Sequence, residues 1–246
     1  MKRLLDITAA LIGLLLASPL LLPVMFLVWW QDRHSPFYIA PRVGRDERIF
    51  RMVKLRSMRI GADKSGVDST SASDNRITPV GHFIRRYKLD EITQLWNVLR
   101  GDMSLVGPRP NVERETRLYT VVERELLSVR PGITDYASIV FADEGDILAD
   151  QPDPDLAYNQ LIRPWKSRLG LFYIRNASLA LDLKLVALTA LTILSRERAL
   201  SAVARDLERR GAPAELIVIA GRQQPLVPHP PPGATTVVQS RDAVAT

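Results

Sequence analysis

The sequence predicts a mainly helical α+β chain in which a re-entrant, helix-break-helix membrane segment precedes a small cytoplasmic domain edged by interfacial amphipathic helices. Three observations predict it. No charged residue occurs from Ile7 to Trp30, and Pro19 stands near the middle of that run. Arg48 to Arg56 alternates loosely, as a half-buried strand does. Leu89, Ile92, Leu95, Trp96 and Leu99 recur at helical spacing. In this reading residues 1-32 form the membrane hairpin and 33-200 the cytoplasmic domain. Residues 201-222 add a C-terminal helix with a short extension, and 223-246 a proline-rich disordered tail.

The uncharged run would measure ~36 Å as a straight helix, enough to cross a ~30 Å hydrocarbon core. A cleaved signal peptide fits poorly, because the apolar run is too long and Ala17-Ser18-Pro19 is a poor cleavage site. Pro19 and Pro23 each remove an amide donor one turn apart, and the Ser18 hydroxyl is placed to satisfy a carbonyl left free. Lys2 and Arg3 precede the run while Arg33, Arg42, Arg45 and Arg48 follow it, which pulls both ends to the cytoplasmic side. On these grounds a hairpin broken at Ser18-Pro19 competes with an ordinary kinked span. Trp29 and Trp30 would anchor the segment at the interface.

Basic residues dominate from Arg33 to Arg59, so this stretch is expected to face phosphate, of lipid or of ligand. Its strand carries Lys54 and Arg56 on one side. Gly61 to Asn75, rich in Ser, Asp, Gly and Thr, reads as a mobile loop with a lid as one role. The helix from Leu89 packs one stripe and lines the other with Asp90, Gln94 and Asn97, and Gly101 caps it. Arg114 to Leu127 reads as a charged helix ended by Arg130-Pro131-Gly132. Ser178 to Leu194 is interrupted by Asp182 and Lys184, too short an apolar run to span, and reads as a core or membrane-surface helix. A basic amphipathic helix follows from Arg196 to Arg210, and Pro225 to Pro232 opens the tail.

Composition excludes several chemistries. The 246 residues contain no cysteine, so disulfides, thiolate zinc sites, iron–sulfur clusters and cysteine nucleophiles are absent. His34, His82 and His229 are scattered, leaving a hard cation such as magnesium, held by carboxylates and substrate phosphates, as the metal the chain could use. The net charge of +6 suits an anionic partner without choosing among nucleic acid, lipid and nucleotide sugar. No recognisable nucleic-acid module accompanies the basic residues, and no nucleic acid is expected. Neither a GxxxxGK[ST] loop nor a GxGxxG turn occurs.

Chemistry concentrates in one constellation. Asp90 and Glu91 are adjacent on a first helical turn, so their side chains diverge by ~100° and can serve different tasks on one ligand. Helix-dipole stabilisation alone would also explain such a pair. Gly107-Pro108-Arg109-Pro110 then clamps one arginine between prolines, and a pre-aimed guanidinium beside paired carboxylates suggests a metal-bridged diphosphate site.

These residues resemble the bacterial sugar transferases, the monotopic phosphoglycosyl transferases that initiate capsule, exopolysaccharide or glycoprotein glycan assembly. The resemblance runs from Lys2 to about Leu194. It rests on Lys2-Arg3-Leu4-Leu5-Asp6 with Ser18-Pro19, Lys54-Leu55-Arg56-Ser57-Met58, Arg76-Ile77-Thr78, the continuous block from Leu89 to Pro110, Arg130-Pro131-Gly132-Ile133-Thr134, and Asn176 through Leu181-Asp182-Leu183-Lys184. It implies a re-entrant helix broken at Ser18-Pro19 and an inner-membrane enzyme with its catalytic domain on the cytoplasmic face. It further implies that a nucleotide sugar, expected to be a UDP-sugar, donates a sugar 1-phosphate to undecaprenyl phosphate. Asp90 would attack the sugar-bearing phosphorus and hold the phosphosugar covalently. Glu91 would bind magnesium. Arg109, Arg85, Arg130 and Lys54 are carried over as phosphate contacts. A non-catalytic membrane scaffold of polysaccharide export, its basic face on anionic lipid, is the competing reading. Homo-oligomerisation is left open.

The chain departs from the family pattern at Lys88 and Thr93, where Ser and Pro are common, and at Asp135-Tyr136-Ala137-Ser138-Ile139, where many members carry a Gly-Leu-Ala-Gln-like stretch. The second departure bears on the choice of sugar. In size the chain resembles the minimal members rather than those with a multi-span region ahead of the catalytic part.

Overall fold

The computed structural model describes residues 1–62, 74–149 and 151–240. The first element is one helix, α1 (Lys2–Asp32), rather than two helices around a loop. Pro19 and Pro23 lie inside it, and the carbonyl that Pro19 leaves without an amide, that of Leu15, accepts from Ser18 Oγ at 2.8 Å. A local hydroxyl thus replaces the missing donor, and the helix continues.

α1 lies along the rest of the molecule. Asp6, Ala10, Leu21, Val24 and Val28 form its buried stripe at helical spacing, while Leu11, Leu15, Leu16, Leu22, Phe26 and Trp30 stay exposed. Both of its ends are tied to the same body. Lys2 Nζ pairs with Asp182 at 2.5 Å, Arg3 donates to the carbonyls of Val98 and Leu99, and Asp6 accepts from Ser104 Oγ and Leu105 N. At the other end Asp32 takes both terminal nitrogens of Arg56, at 2.6 and 2.8 Å. Arg56 is therefore a buried tie to α1 rather than a companion to Lys54 on a phosphate-facing strand side.

Strands β1 (Phe37–Val43) and β2 (Ile49–Leu55) form an antiparallel pair. The free edge of β2 is closed by a side chain. Asn97, on α4 (Leu95–Arg100), accepts from Val53 N at 2.9 Å and donates to Arg51 O at 2.7 Å. The amide mimics a strand and is fully buried, so the polar stripe of this helix faces the sheet, while Trp96, placed by periodicity on the packed face, is 52% exposed. Gly101 caps α4 at φ 91, as its position predicts. The expected single helix divides, because α3 (Leu89–Ile92) ends at Thr93, whose hydroxyl bonds Val53 O and Asp90 O. Helix α2 (Pro79–Arg86) precedes it, capped by Thr78 Oγ1 on Gly81 N.

A short parallel pair joins β3 (Ser104–Val106) to β4 (Gly132–Thr134). Between them α5 (Glu113–Arg117) and a 3-10 segment Glu123–Ser128 replace the one charged helix expected from Arg114 to Leu127. Beyond β4 come three short helices, α6 (Tyr136–Val140), α7 (Glu144–Ile147) and α8 (Pro154–Ala157), then α9 (Arg163–Asn176), α10 (Leu179–Leu194), α11 (Arg196–Arg209) and α12 (Ala214–Gly221). The main core gathers Tyr136, Ile139, Ile162, Leu169, Leu181, Leu185, Val203 and Leu207 from these helices. α10, begun by the Ser178 cap, buries Leu181 and Leu185 and exposes Leu183, Ile193 and Leu194. An internal ion pair braces α9: Arg163 meets both oxygens of Glu123, at 3.0 and 2.5 Å, with Asn159, Leu118 O and Ser167 completing the set. Every charge taken from water there has a partner.

The proline-rich tail, expected to be disordered, is ordered through Ser240. His229 N donates to Gln160 O, Arg168 to Pro230 O, Thr120 Oγ1 to Pro232 O and Gln160 to Val238 O, and the His229 ring lies 4.4 Å from Trp165. Proline backbone is already extended, so ordering it costs little entropy, and its carbonyls find donors on α9. Most of the loop expected at Gly61 to Asn75 lies outside the described residues.

A tight constraint is the crossing of the two glycine turns. A Cβ on Gly132 would lie 2.1 Å from Gly107 N, and one on Gly107 2.5 Å from Arg130 O. Gly132→Ala is expected to cost about 3 kcal/mol or more, lowering the melting midpoint by roughly 6–12 °C. Gly221→Ala, whose Cβ meets nothing nearer than 3.9 Å, is the control and should leave it unchanged.

Candidate active site

Four segments meet in one cleft of about 750 Å³. β2 contributes Lys54, α2 contributes Arg85, and α3 contributes Asp90 and Glu91. The turn after β3 contributes Arg109, whose Nη2 donates to Glu91 Oε1 at 2.7 Å. That turn is held backbone to backbone by Gly107 N on Thr134 O and Gly132 N on Pro108 O, so Arg109 projects from a frame that cannot pivot. Arg85 is steadied by its Nε on Ser57 Oγ at 3.0 Å.

The dyad begins a helix because Lys88, just before it, adopts a left-handed conformation at φ 55. This reverses the chain between α2 and α3 and directs the first turn of α3 into the cleft. A lysine seldom takes that conformation, and its strain is of order 1–3 kcal/mol. Lys88 itself lines the cleft, with His82, Arg42 and Arg86.

Electrostatics separates the two carboxylates. Burial holds the Asp90 carboxyl above the usual carboxylate range, Lys54 opposing and Glu91 adding to the effect. Burial acts in the same sense on Glu91, but Arg109, Lys88 and Lys54 outweigh it and bring Glu91 below the usual range. Desolvation, reinforced by Arg109, pushes the Lys54 ammonium down to about 8, against the pull of Asp90 and Glu91. Glu91 in turn keeps Arg109 more firmly protonated than an isolated guanidinium. Two adjacent carboxylates are thereby given different proton affinities, the condition for giving them different tasks.

Of the residues expected at the site, Lys54, Arg85, Asp90, Glu91 and Arg109 line the cleft together. Arg130 does not. Its Nε caps the end of α4 by donating to Gly101 O at 2.9 Å, so it acts on the frame that carries Arg109. Ser18 and Pro19, inside α1, do not line the cleft. Sequence reasoning missed the ion pair between Glu144 and Lys166, which also lines the cleft. Glu144 and Lys166 are separated by several helices and share no motif, so nothing in their spacing marks them.

A family model described as bacterial sugar transferase matches residues 1–196. The UDP-N-acetylgalactosamine-undecaprenyl-phosphate N-acetylgalactosaminephosphotransferase of Aeromonas hydrophila is 36% identical over 201 residues, covering 79% of this chain and 44% of the relative. The undecaprenyl-phosphate glucose phosphotransferase of Komagataeibacter xylinus is 38% identical over 198 residues, 76% of this chain and 35% of the relative. An exopolysaccharide production protein, ExoY, of Rhizobium meliloti (strain 1021) is 40% identical over 148 residues, 54% of this chain and 66% of the relative. The chain thus spans less than half the length of the first two. The matched span contains every cleft residue named above, and with it the paired carboxylates, the proline-clamped arginine and the apolar first helix: the chain belongs to the bacterial sugar transferase family.

Proposed function

We propose that the protein transfers a sugar 1-phosphate from a nucleotide diphosphate sugar, a UDP-sugar, to undecaprenyl phosphate at the cytoplasmic face of the inner membrane, the first step of an exopolysaccharide, capsule or glycoconjugate. The observation that carries this reading is the convergence of Asp90, Glu91, Arg109, Lys54 and Arg85 in one cleft. Two relatives are named for undecaprenyl phosphate, which supports the choice of acceptor.

In the proposed mechanism an Asp90 carboxylate oxygen attacks the sugar-bearing phosphorus. The phosphorus–oxygen bond to the nucleoside monophosphate breaks, and its electron pair leaves with that product. An oxygen of the acceptor phosphate then attacks the same phosphorus, the bond to Asp90 breaks, and the carboxylate is restored. Arg109, Lys54 and Arg85 offset the charge on the phosphate oxygens. Burial around Asp90 suits a nucleophile, since a less solvated carboxylate is more basic.

Glu91 commits one oxygen to Arg109 and keeps a second hard donor beside Asp90. Among the described residues no group of three or more carboxylates and histidines could enclose an ion by itself. The donor set fits magnesium, which keeps several waters and takes most of its remaining ligands from substrate phosphates. Glu91 would hold it, and the ion would supply charge neutralisation on the diphosphate.

α1 is the proposed membrane element, entering and leaving the bilayer from one side. Its support is the pair of tethers, Lys2, Arg3 and Asp6 at one end and Asp32 at the other, all bound to the one domain. A crossing would place those two ends on opposite sides of a ~30 Å core.

Four measurements test this reading. Purified protein with magnesium and a panel of UDP-sugars should release nucleoside monophosphate continuously only when undecaprenyl phosphate is present. Asp90→Asn should fold and lose at least about 10³-fold in turnover, and full turnover by that variant would sink the covalent route. In the pH profile, kcat/KM should fall as pH rises through about 8, where Lys54 loses its proton, and Lys54→Arg should move that limb to higher pH. Single cysteines placed before Lys2 and after Asp32 should label from the same membrane face, and opposite faces would refute the one-sided helix.

A further inference from the structure

The residues matched by the family model end at position 196, yet the chain continues through α11 and α12 and folds back on the cleft. Arg222 follows α12 in a left-handed conformation that turns its side chain inward, where it is 13% exposed. Its Nη2 donates to Asp143 Oδ2 at 3.1 Å, and its guanidinium lies 5.4 Å from the Phe141 ring centroid. Arg196, at the start of α11, approaches the same carboxylate at 2.8 Å. Asp143 is the residue that starts α7. Its carbonyl accepts from Asp146 N and Ile147 N, so holding Asp143 holds the whole one-turn helix.

The first residue of α7 is Glu144, whose carboxylate meets the Lys166 ammonium at the cleft wall. Glu144 and Arg109 also feel one another's charge, so this pair lies within electrostatic reach of the diphosphate end of the cleft. Its own charges cancel, which makes it a poor phosphate site beside Lys54, Arg85 and Arg109. A carboxylate that accepts and an ammonium that donates are instead matched to sugar hydroxyls, each of which does both.

We infer that Arg222, with Arg196, is a positioning residue of the donor site: through Asp143 it fixes α7 and so sets the Glu144–Lys166 pair that receives the hydroxyls of the transferred sugar. The C-terminal extension is then part of the donor-binding wall. The sugar-binding half of this inference rests on the transferase reading above, and the clamp does not.

Two measurements on the full-length protein separate these. Hydrogen exchange of the backbone amides from residue 141 to 148 should rise in Arg222→Gln and return toward wild type in Arg222→Lys, whether or not the protein turns over. With the donor identified by the release assay, Arg222→Gln should raise its KM about tenfold while kcat stays within about threefold. Asp143→Asn, which breaks the links to both Arg222 and Arg196, should raise KM at least as much, and the double variant should be no worse than Asp143→Asn alone. Should Arg222→Gln fail to fold, Asp143→Asn carries both readouts. Unchanged exchange across 141–148 overturns the clamp. Raised exchange with an unchanged donor KM, or a double variant worse than Asp143→Asn alone, overturns the donor-site role. Absence of turnover in the wild type refutes the transferase reading and the sugar-binding half with it, while exchange still decides the clamp.

Discussion

The cleft depends on a contact from which side chains are excluded. Gly107 and Gly132 meet backbone to backbone, at distances where a single Cβ on either would overlap the other chain. That approach lets β3 and β4 pair in parallel although each is only one short segment, and it turns Pro108 and Arg109 out of the pair in a set direction. Arg109 reaches Glu91 from that frame, and the frame is stiffened from outside by Arg130 on the end of α4. The prolines flanking Arg109 limit its backbone, but the glycines decide where that backbone lies.

The polar residues at the two ends of an otherwise apolar helix serve the same frame. Lys2 bonds Val106 O and Asp182, and Asp6 bonds Ser104 and Leu105, so the start of α1 is joined to β3 itself. Asp32 and Arg56 join its end to the strand that carries Lys54. Asp6, Arg56 and Asp182 are buried and partnered, which makes removing a partner costly. The long apolar helix is therefore mechanically continuous with the strands and turn that line the cleft.

Within the cleft, chemistry comes from unequal surroundings of like groups. Asp90 and Glu91 are neighbours in sequence, yet burial dominates at the first and Arg109 at the second. Lys54 enters the same cleft from a strand whose free edge is completed by the Asn97 amide. The same logic recurs at Asp143, where two arginines from the C-terminal helices hold the wall that bears Glu144.

Much of this was legible in the residues. The uncharged run foretold a long apolar helix and the hydroxyl at Ser18 its local repair, because those effects act within one turn, while the break expected at Pro19 did not form. Asp90, Glu91 and Arg109 were legible as a group because the motif that bears them is short, and Lys54 and Arg85 through resemblance. What the sequence could not decide were contacts made between distant segments. Arg56 and Arg130 carry the same charge as Arg109 but are spent on carboxylate and carbonyl partners that only folding brings near. Trp96 lies exposed because the buried face of α4 was claimed by Gln94 and Asn97, a reversal that needs a strand edge to satisfy. The tail, polar and proline-rich enough to read as disordered, found donors on α9. Composition and periodicity report local preference, whereas hydrogen-bond partners across the fold determine which charge lines the cleft and which one holds its frame in place.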